Sequence, residues 1–284
     1  MRTDGKFCTK HVAIKGWRAN KTLTLVPFGD IHHDSPGFCE ASWKKFLKRG
    51  RQLAAKGDVL FLGMGDYLDG YSTSERMIIY SGGLHESSLA REEMAARKRV
   101  ELLAKDLEFM RGRLIGFMGG NHFPVFKGGV TGDNYLAELL ETDYLGACCA
   151  IRVSLDNCGR RTSFDIFAHH GKGGGTTAGG RLNAVEKLEK VCDADIFLMG
   201  DNHARGVIPT GERLRLVDTP AGLIVKTKAT WIGRTGSFLR AYVEDQPSYV
   251  CDAALPPANL GHIEFNITVG RDETRDVIHI GATQ

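Results

Sequence analysis

The chain has 284 residues, 42% hydrophobic and 25% charged, with a formal net charge of only +3. It is long enough to bury a core without staples, and it carries no charge excess that demands a nucleic-acid partner. No run approaches the ~20 apolar residues of a membrane span, residues 1–10 offer no apolar signal core, and seven cysteines without a Cys-x-x-Cys pair read as buried, reduced thiols of a cytoplasmic protein.

Residues 23–28 are a short apolar run ending at Gly29-Asp30 and read as a buried strand. Helical spacing through Trp43, Phe46, Leu47 and Leu53 predicts a helix over 38–56, stopped at Gly57-Asp58. A second buried strand is expected over 59–64, again ending at Gly65-Asp66. The longest helical pattern covers 87–110, and a third strand over 114–118 ends at Gly119-Gly120-Asn121-His122. A helix over 133–141 follows, with Asp133 as its cap. Strands over 147–155 and 161–168 meet at Asp156-Asn157-Cys158-Gly159, a hairpin signal. A helix over 181–192 leads to a strand over 196–199, which ends at Gly200-Asp201. From Arg205 onward short strands and turns prevail, with candidates at 214–217, 223–231, 263–269 and 277–280 and a long loop over 245–257. Strands and helices alternate first and hairpins come later. This order predicts mixed sheets packed face to face with outer helices.

Metal-binding side chains repeatedly follow the last apolar residue of a strand, the edge where open α/β sheets bind ligands. Asp30 and His32, one residue apart on such a turn, can face the same cation. Asp66 has two oxygens and can bridge two cations. Asn121 offers a neutral amide oxygen that limits the total negative charge, and His170 and His203 complete the set with imidazole nitrogens. Two divalent cations side by side activate water and clamp a phosphoryl group, so this constellation points to hydrolysis of phosphate esters. The loop from Gly171 through Lys172 to Thr177 reads either as a phosphate cradle, with Lys172 adding charge, or as a plain mobile loop. Arg205 closely follows His203 and reads as a substrate contact or a surface ion pair.

These motifs are, in order, Asp-x-His, Gly-Asp-x-x-Asp, Gly-Asn-His, an isolated histidine, and Gly-x-x-His. In order and spacing the chain resembles the calcineurin-like metallophosphoesterase superfamily from Asp30 to His203. Residues 235–240, with Tyr249 beyond, resemble the tails of phage-encoded members. The resemblance implies a single metallophosphoesterase domain over 1–284, its motif-bearing core at about 20–209 and a β-rich part at about 210–284. The implied fold is α/β, a four-layer α/β/β/α sandwich of two mixed β-sheets flanked by helices. It also implies a binuclear centre, with Asp30, His32, Asp66 and His203 on one cation, Asp66 bridging, and Asn121, His170 and Asp201 on the other. His170 is preferred to His169 because the family's ligand often directly precedes a glycine, which leaves His169 to packing or to substrate. His122 would protonate the leaving oxygen, and Asp69 would accept its other ring proton. The attacking group would be a metal-bridged hydroxide.

Two departures from the family pattern bear on chemistry. Asp201 stands where the family has a histidine. Either it binds as a harder ligand, favouring Mn²⁺ or Mg²⁺ over Zn²⁺, with Fe²⁺ a further candidate, or it leaves the second pocket weak. Gly70 stands where the protein phosphatase branch carries arginine. That favours a phosphodiesterase or nuclease, acting on nucleotides or nucleic acid, over a phosphomonoesterase. The reading from another class is a non-catalytic metal-binding scaffold, and the presence of both His122 and Asp69 argues against it.

Overall fold

The computed structural model describes residues 7–18, 21–70, 72, 74, 76–77, 85–157, 160–171, 175, 177–220, 222–244, 249–252, 254, 256–272 and 275–283. Its strands in chain order are β1 (Cys8–Lys15), β2 (Thr22–Phe28), β3 (Val59–Gly63), β4 (Leu114–Phe117), β5 (Cys148–Asn157), β6 (Arg160–His169) and β7 (Ile196–Met199). They continue with β8 (Arg205–Pro209), β9 (Arg213–Thr219), β10 (Gly222–Lys228), β11 (Trp231–Thr235), β12 (Glu264–Asp272) and β13 (Arg275–Thr283). The helices are α1 (Glu40–Lys56), α2 (Glu86–Leu107), α3 (Gly132–Leu139) and α4 (Ala178–Glu186), with a short turn of helix at Tyr249–Asp252.

Two large mixed sheets form the centre. One has five strands in the order β13-β12-β2-β3-β4, and the other six in the order β1-β5-β6-β7-β11-β8. β2, β3 and β4 run parallel, so the three motif-bearing ends lie on one edge of the first sheet. β6 and β7 are likewise parallel in the second sheet.

Strand alternation assigns the layers. Leu23, Leu25, Leu60, Leu62 and Ile115 of the first sheet pack against Ile151, Val153, Phe164, Ile166, Ile196 and Leu198 of the second. The opposite face of the first sheet, through Val26, Phe28, Phe61 and Phe117, packs on Trp43, Phe46, Val100, Leu103 and Leu136 of α1, α2 and α3. Phe167, Phe197 and Ile232 on the outer face of the second sheet pack on Val185 and Leu188. The result is the expected α/β/β/α order. Truncating a central residue such as Leu62 to alanine costs about 2–5 kcal/mol in a core of this kind. Gly57, at φ 92°, ends α1 by donating its N–H to the Leu53 and Ala54 carbonyls, a left-handed closure that favours glycine. Among the described residues no helix is long and apolar enough to cross a membrane.

Several boundaries differ from the sequence reading. The run over 223–231 is two strands, β10 and β11, that belong to different sheets. β1 and β8 were not expected. β12 pairs antiparallel with β2, so the β-rich C-terminal part completes the first sheet. Thr131 caps α3 through its hydroxyl, which accepts the Asn134 N–H at 3.2 Å. The anticipated cap, Asp133, is buried and turned inward instead.

Candidate metal centre

The five motif turns meet where the two sheets' strand ends face each other. Among the described residues, eight non-glycine residues have positive φ, and five are Asp30, His32, Asp66, Asp201 and His203, at 47° to 63°. Such conformations cost free energy and persist where the surroundings enforce them, commonly at functional sites. Here the turn backbones cross-bond. Asp30 N–H donates to the Gly65 carbonyl at 2.9 Å, Ile31 and His32 N–H to the Asp66 carbonyl at 2.8 and 3.1 Å, and Gly200 N–H to the His170 carbonyl at 2.8 Å.

The motif glycines follow from this crowding. A Cβ on Gly120 would lie 2.1 Å from Asp66 Oδ1, and one on Gly65, at φ 100°, would lie 2.4 Å from His170 Nδ1. The strand ends can close on one another only without side chains at those positions.

Asp30, His32 and His203 bring ligand atoms within 4.8 Å of one another, as do Asp30, Asp66 and His170. Asp66 Oδ2 lies 3.9 Å from His32 Nε2 and 3.4 Å from His170 Nε2, between the two imidazoles. Oδ1 accepts the N–H groups of Asn121 and His122 at 2.8 and 2.9 Å, so Oδ2 alone faces the cavity. His170 Nδ1 donates to the Met64 carbonyl at 2.7 Å, which leaves the Nε2 lone pair aimed inward. His32 is fixed in the same sense, its Nδ1 bonded to Asp69 Oδ1 at 2.9 Å.

That bond corrects the assignment of Asp69. Its carboxylate serves His32, whereas His122 Nδ1 bonds the Asp69 backbone carbonyl at 2.8 Å. The Asp69 N–H is itself held by Asp34 Oδ1. The carboxylate nonetheless stays near the His122 ring, since His32, Asp69 and His122 also form a cluster within 4.8 Å.

Asn121 Nδ2 donates to Asp201 Oδ1 at 2.8 Å, and Asp201 N–H in turn donates to the Asp30 carboxylate at 2.9 and 3.1 Å. Asp201 Oδ1 is also 3.8 Å from His170 Nε2. The described structure therefore places Asp30, His32, Asp66, Asn121, His170, Asp201 and His203 around one cavity. His169 stands apart, its Nδ1 accepting the Gly171 N–H at 2.7 Å. Arg205 lies against Gly261, outside these clusters. Lys172 lies outside the described residues.

The donors present fit a divalent cation. His32 Nε2, His170 Nε2 and Asn121 Oδ1 are buried without a hydrogen-bond partner, a cost of about 1–3 kcal/mol each unless a ligand satisfies them. Burial pushes the Asp30 carboxyl up to about 7, opposed by His170 and reinforced by Asp66. Burial and the neighbouring His32 push His203 down to about 3. Burial would lower His170, but the Asp66 carboxylate beside it raises it to about 10. Crowded carboxylates of this kind are relieved by positive charge between them, and the set combines carboxylate and amide oxygens with imidazole nitrogens, all of them ligands for divalent cations.

Three supports escaped the sequence reading. Asp133 Oδ2 accepts the Gly120 N–H at 2.9 Å and holds the turn that presents Asn121. The Ser237 hydroxyl and the Phe238 N–H donate to the Asp30 carbonyl at 2.9 and 3.0 Å, giving residues 235–240 a structural task. Arg234, buried in β11, donates to the Gly200 and Arg181 carbonyls beneath the Asp201 turn. An arginine inside the strand run Trp231–Thr235 was the signal available for the last.

No protein-family model matches the chain, and no curated protein matches it. Among solved structures it is similar to Vacuolar Protein Sorting 29 from Cryptosporidium parvum, at 12% identity and a TM-score of 0.33, covering 92% of this chain and 98% of that one. It is similar also to a single mutant of Vps29 from Entamoeba histolytica, at 13% identity and TM-score 0.34, covering 92% of this chain and 100% of that one. A double mutant of the same protein gives 12% and 0.35 with the same coverage. Likeness of this degree carries no functional weight.

Proposed function

We propose that the chain is a metal-dependent hydrolase of phosphoric esters of the calcineurin-like kind, acting on a phosphodiester such as a nucleotide or nucleic-acid linkage. The observation that carries this reading is the convergence of two buried imidazole nitrogens and an amide oxygen, all without partners, on a pair of buried carboxylates. Asp30, His32, Asp66 and His203 would hold one cation, and Asp66, Asn121, His170 and Asp201 the other. Two such ions, Mn²⁺ by the carboxylate and amide oxygens of the set, would supply Lewis acidity and lower the pKa of a water from about 15.7 toward about 7.

The chain's own groups do the rest. His32 and His170 keep Nε2 turned inward because Nδ1 is committed to Asp69 and Met64. Asp201 orients the Asn121 amide, so that its oxygen rather than its NH₂ faces the cavity. His122 donates its Nδ1–H to the Asp69 carbonyl, so it would protonate the departing oxygen through Nε2 from its doubly protonated form. Gly70 supports the diester preference. A Cβ there would meet the Phe123 backbone at 2.9 Å, so no arginine can occupy that position to neutralise a monoester dianion.

One observation favours a second reading, a metal-binding scaffold without turnover. The Asp69 carboxylate serves His32 rather than His122, so the expected carboxylate–histidine pair is absent. Assaying bis-nitrophenyl phosphate against nitrophenyl phosphate with Mn²⁺ separates the readings. Diester cleavage lost in Asp66→Asn supports the hydrolase, and metal binding without cleavage of either ester supports the scaffold.

A further inference from the structure

Charge is distributed unevenly over the helices. α2 carries five cations and five carboxylates, whereas α1 carries six cations and a single carboxylate, Glu40. The net +5 of α1 exceeds the +3 of the whole chain, so all other residues together are net −2.

Amphipathicity places these charges. Trp43, Phe46, Leu47, Leu53 and Ala54 form the buried side of α1, packed on the first sheet. Lys44, Lys45, Lys48, Arg49, Arg51 and Lys56 are all exposed. At about 100° per residue they share one arc of roughly 160° on the solvent side. Two of them are engaged, Lys44 with Glu40 and Arg49 with Glu264, each at 2.7 Å. Among the described residues, Lys45, Lys48, Arg51 and Lys56 make no ion pair, and Arg51 lies 5.1 Å from the centre of the Phe109 ring. Lys45 and Lys48, and Lys48 and Arg51, are spaced i,i+3, where like charges destabilise a helix. A polyanion laid along this side would relieve that repulsion.

α1 also leads to the metal centre. Cys39 N–H, at its start, donates to the Phe238 carbonyl at 2.8 Å, and Phe238 N–H donates to the Asp30 carbonyl at 3.0 Å. The helix joins the end of β2 to the beginning of the parallel β3. It therefore runs from the edge that bears the motif turns to the opposite edge, over about 26 Å.

We infer that the exposed side of α1 binds the phosphate backbone of a nucleic-acid strand and guides it toward the metal centre. That this strand is the substrate rests on the hydrolase reading above, whereas the binding does not. Charge complementarity selects a polyanion, and the cations extend along the helix in steps of about 4.5 Å rather than gathering at one point. An anionic bilayer fits less well. A helix lying on a membrane inserts large apolar side chains, and the exposed residues of α1 other than its cations are Glu40, Ala41, Gln52 and Ala55.

Fluorescence anisotropy of labelled DNA, duplex and single-stranded, titrated with the full chain in chelator so that nothing is cleaved, tests this. The expected result is micromolar binding at about 50 mM salt. With four phosphates neutralised, log K should fall against log salt with a slope of about −3.6 for duplex and about −2.8 for single strand. Lys48→Glu combined with Arg51→Glu is expected to weaken binding about 10-fold or more and to reduce the slope by about 2. Lys98→Glu combined with Lys105→Glu, the same charge change on α2, is expected to leave both nearly unchanged. Absence of binding at low salt overturns the inference. So does equal weakening by the two pairs, which would be a response to net charge alone. Retention on phosphatidylserine vesicles through Lys48 and Arg51, without binding of either DNA, overturns it as well. Turnover is scored separately on bis-nitrophenyl phosphate with Mn²⁺. A chain that cleaves this ester without binding DNA refutes the inference and not the hydrolase, and one that binds DNA but cleaves no ester does the reverse.

Discussion

Replacing His122 by alanine removes the proposed proton donor and no proposed ligand. The expected outcome is unchanged Mn²⁺ binding by calorimetry and a fall in turnover of about 10²–10⁴ on esters with poor leaving groups. The loss should be smaller on nitrophenyl esters, whose leaving group needs little protonation, and equal losses on both would remove the assigned role. Asp133 makes a different prediction. Its carboxyl, pushed up to about 7 chiefly by burial, holds the Gly120 N–H. Asp133→Ala leaves that donor unsatisfied, at about 1–3 kcal/mol. Thermal unfolding should show the loss, together with weaker Mn²⁺ binding, while Asp133→Asn, which can still accept, should recover most of both. The residue types that gather at the site were legible at this scale because glycine, carboxylate and imidazole recur at strand ends. The bonds between them were not. Asp69 has both His32 and His122 within reach, and only the fold decides which receives its side chain. Asp133 looked like a cap because helix starts favour aspartate, yet Thr131 one turn-step earlier performs that task.

At the scale of elements, the first sheet is tied to α1 through Arg49 and Glu264. The guanidinium donates to Glu264 Oε1 and Oε2 at 2.9 and 2.7 Å, and His262 Nε2 lies 3.1 Å from Oε1. Burial would raise the Glu264 carboxyl, but these partners hold it at about 2, below its ordinary 4.5. A depressed carboxylate stabilises the fold fully above its unfolded value and loses that contribution as pH falls through the folded one. Wild type should therefore melt above Glu264→Gln at pH 6, with the gap closing between pH 4.5 and about 2. A gap constant over that window would show that the pairing does not contribute as described. Strands β2, β3, β4 and β7 were legible because buried parallel strands read as continuous apolar runs. β1 was not, since Thr9, Lys10, His11 and Lys15 dilute its pattern on the edge of a sheet. The run over 223–231 concealed a change of sheet, because exposed aliphatic residues in β10 resemble core residues in sequence.

Across the whole molecule, two sheets packed face to face bring their strand ends together at a site that neither could form alone. Asp30, Asp66 and Asn121 come from the first sheet, and His170, Asp201 and His203 from the second. The four-layer order could be anticipated from the succession of strands and helices, whereas the sharing of the site's walls required the pairing of β6 with β7. Cation binding should stabilise the entire fold, by about 2.7 kcal/mol at a hundredfold excess over the dissociation constant. Chelation should lower the melting temperature of the wild type and leave that of Asp66→Asn almost unmoved. Substitution of Gly120 by alanine should mimic chelation, because the added methyl would lie 2.1 Å from Asp66 Oδ1 and displace it. The most direct test of the converging site is a count of the ions it holds, by titrating chelator-treated protein with Mn²⁺ and measuring the metal bound per chain. Two ions per wild-type chain, with both affinities reduced in Asp66→Asn, is the predicted result. No stoichiometric binding, or binding identical in wild type and Asp66→Asn, would contradict it.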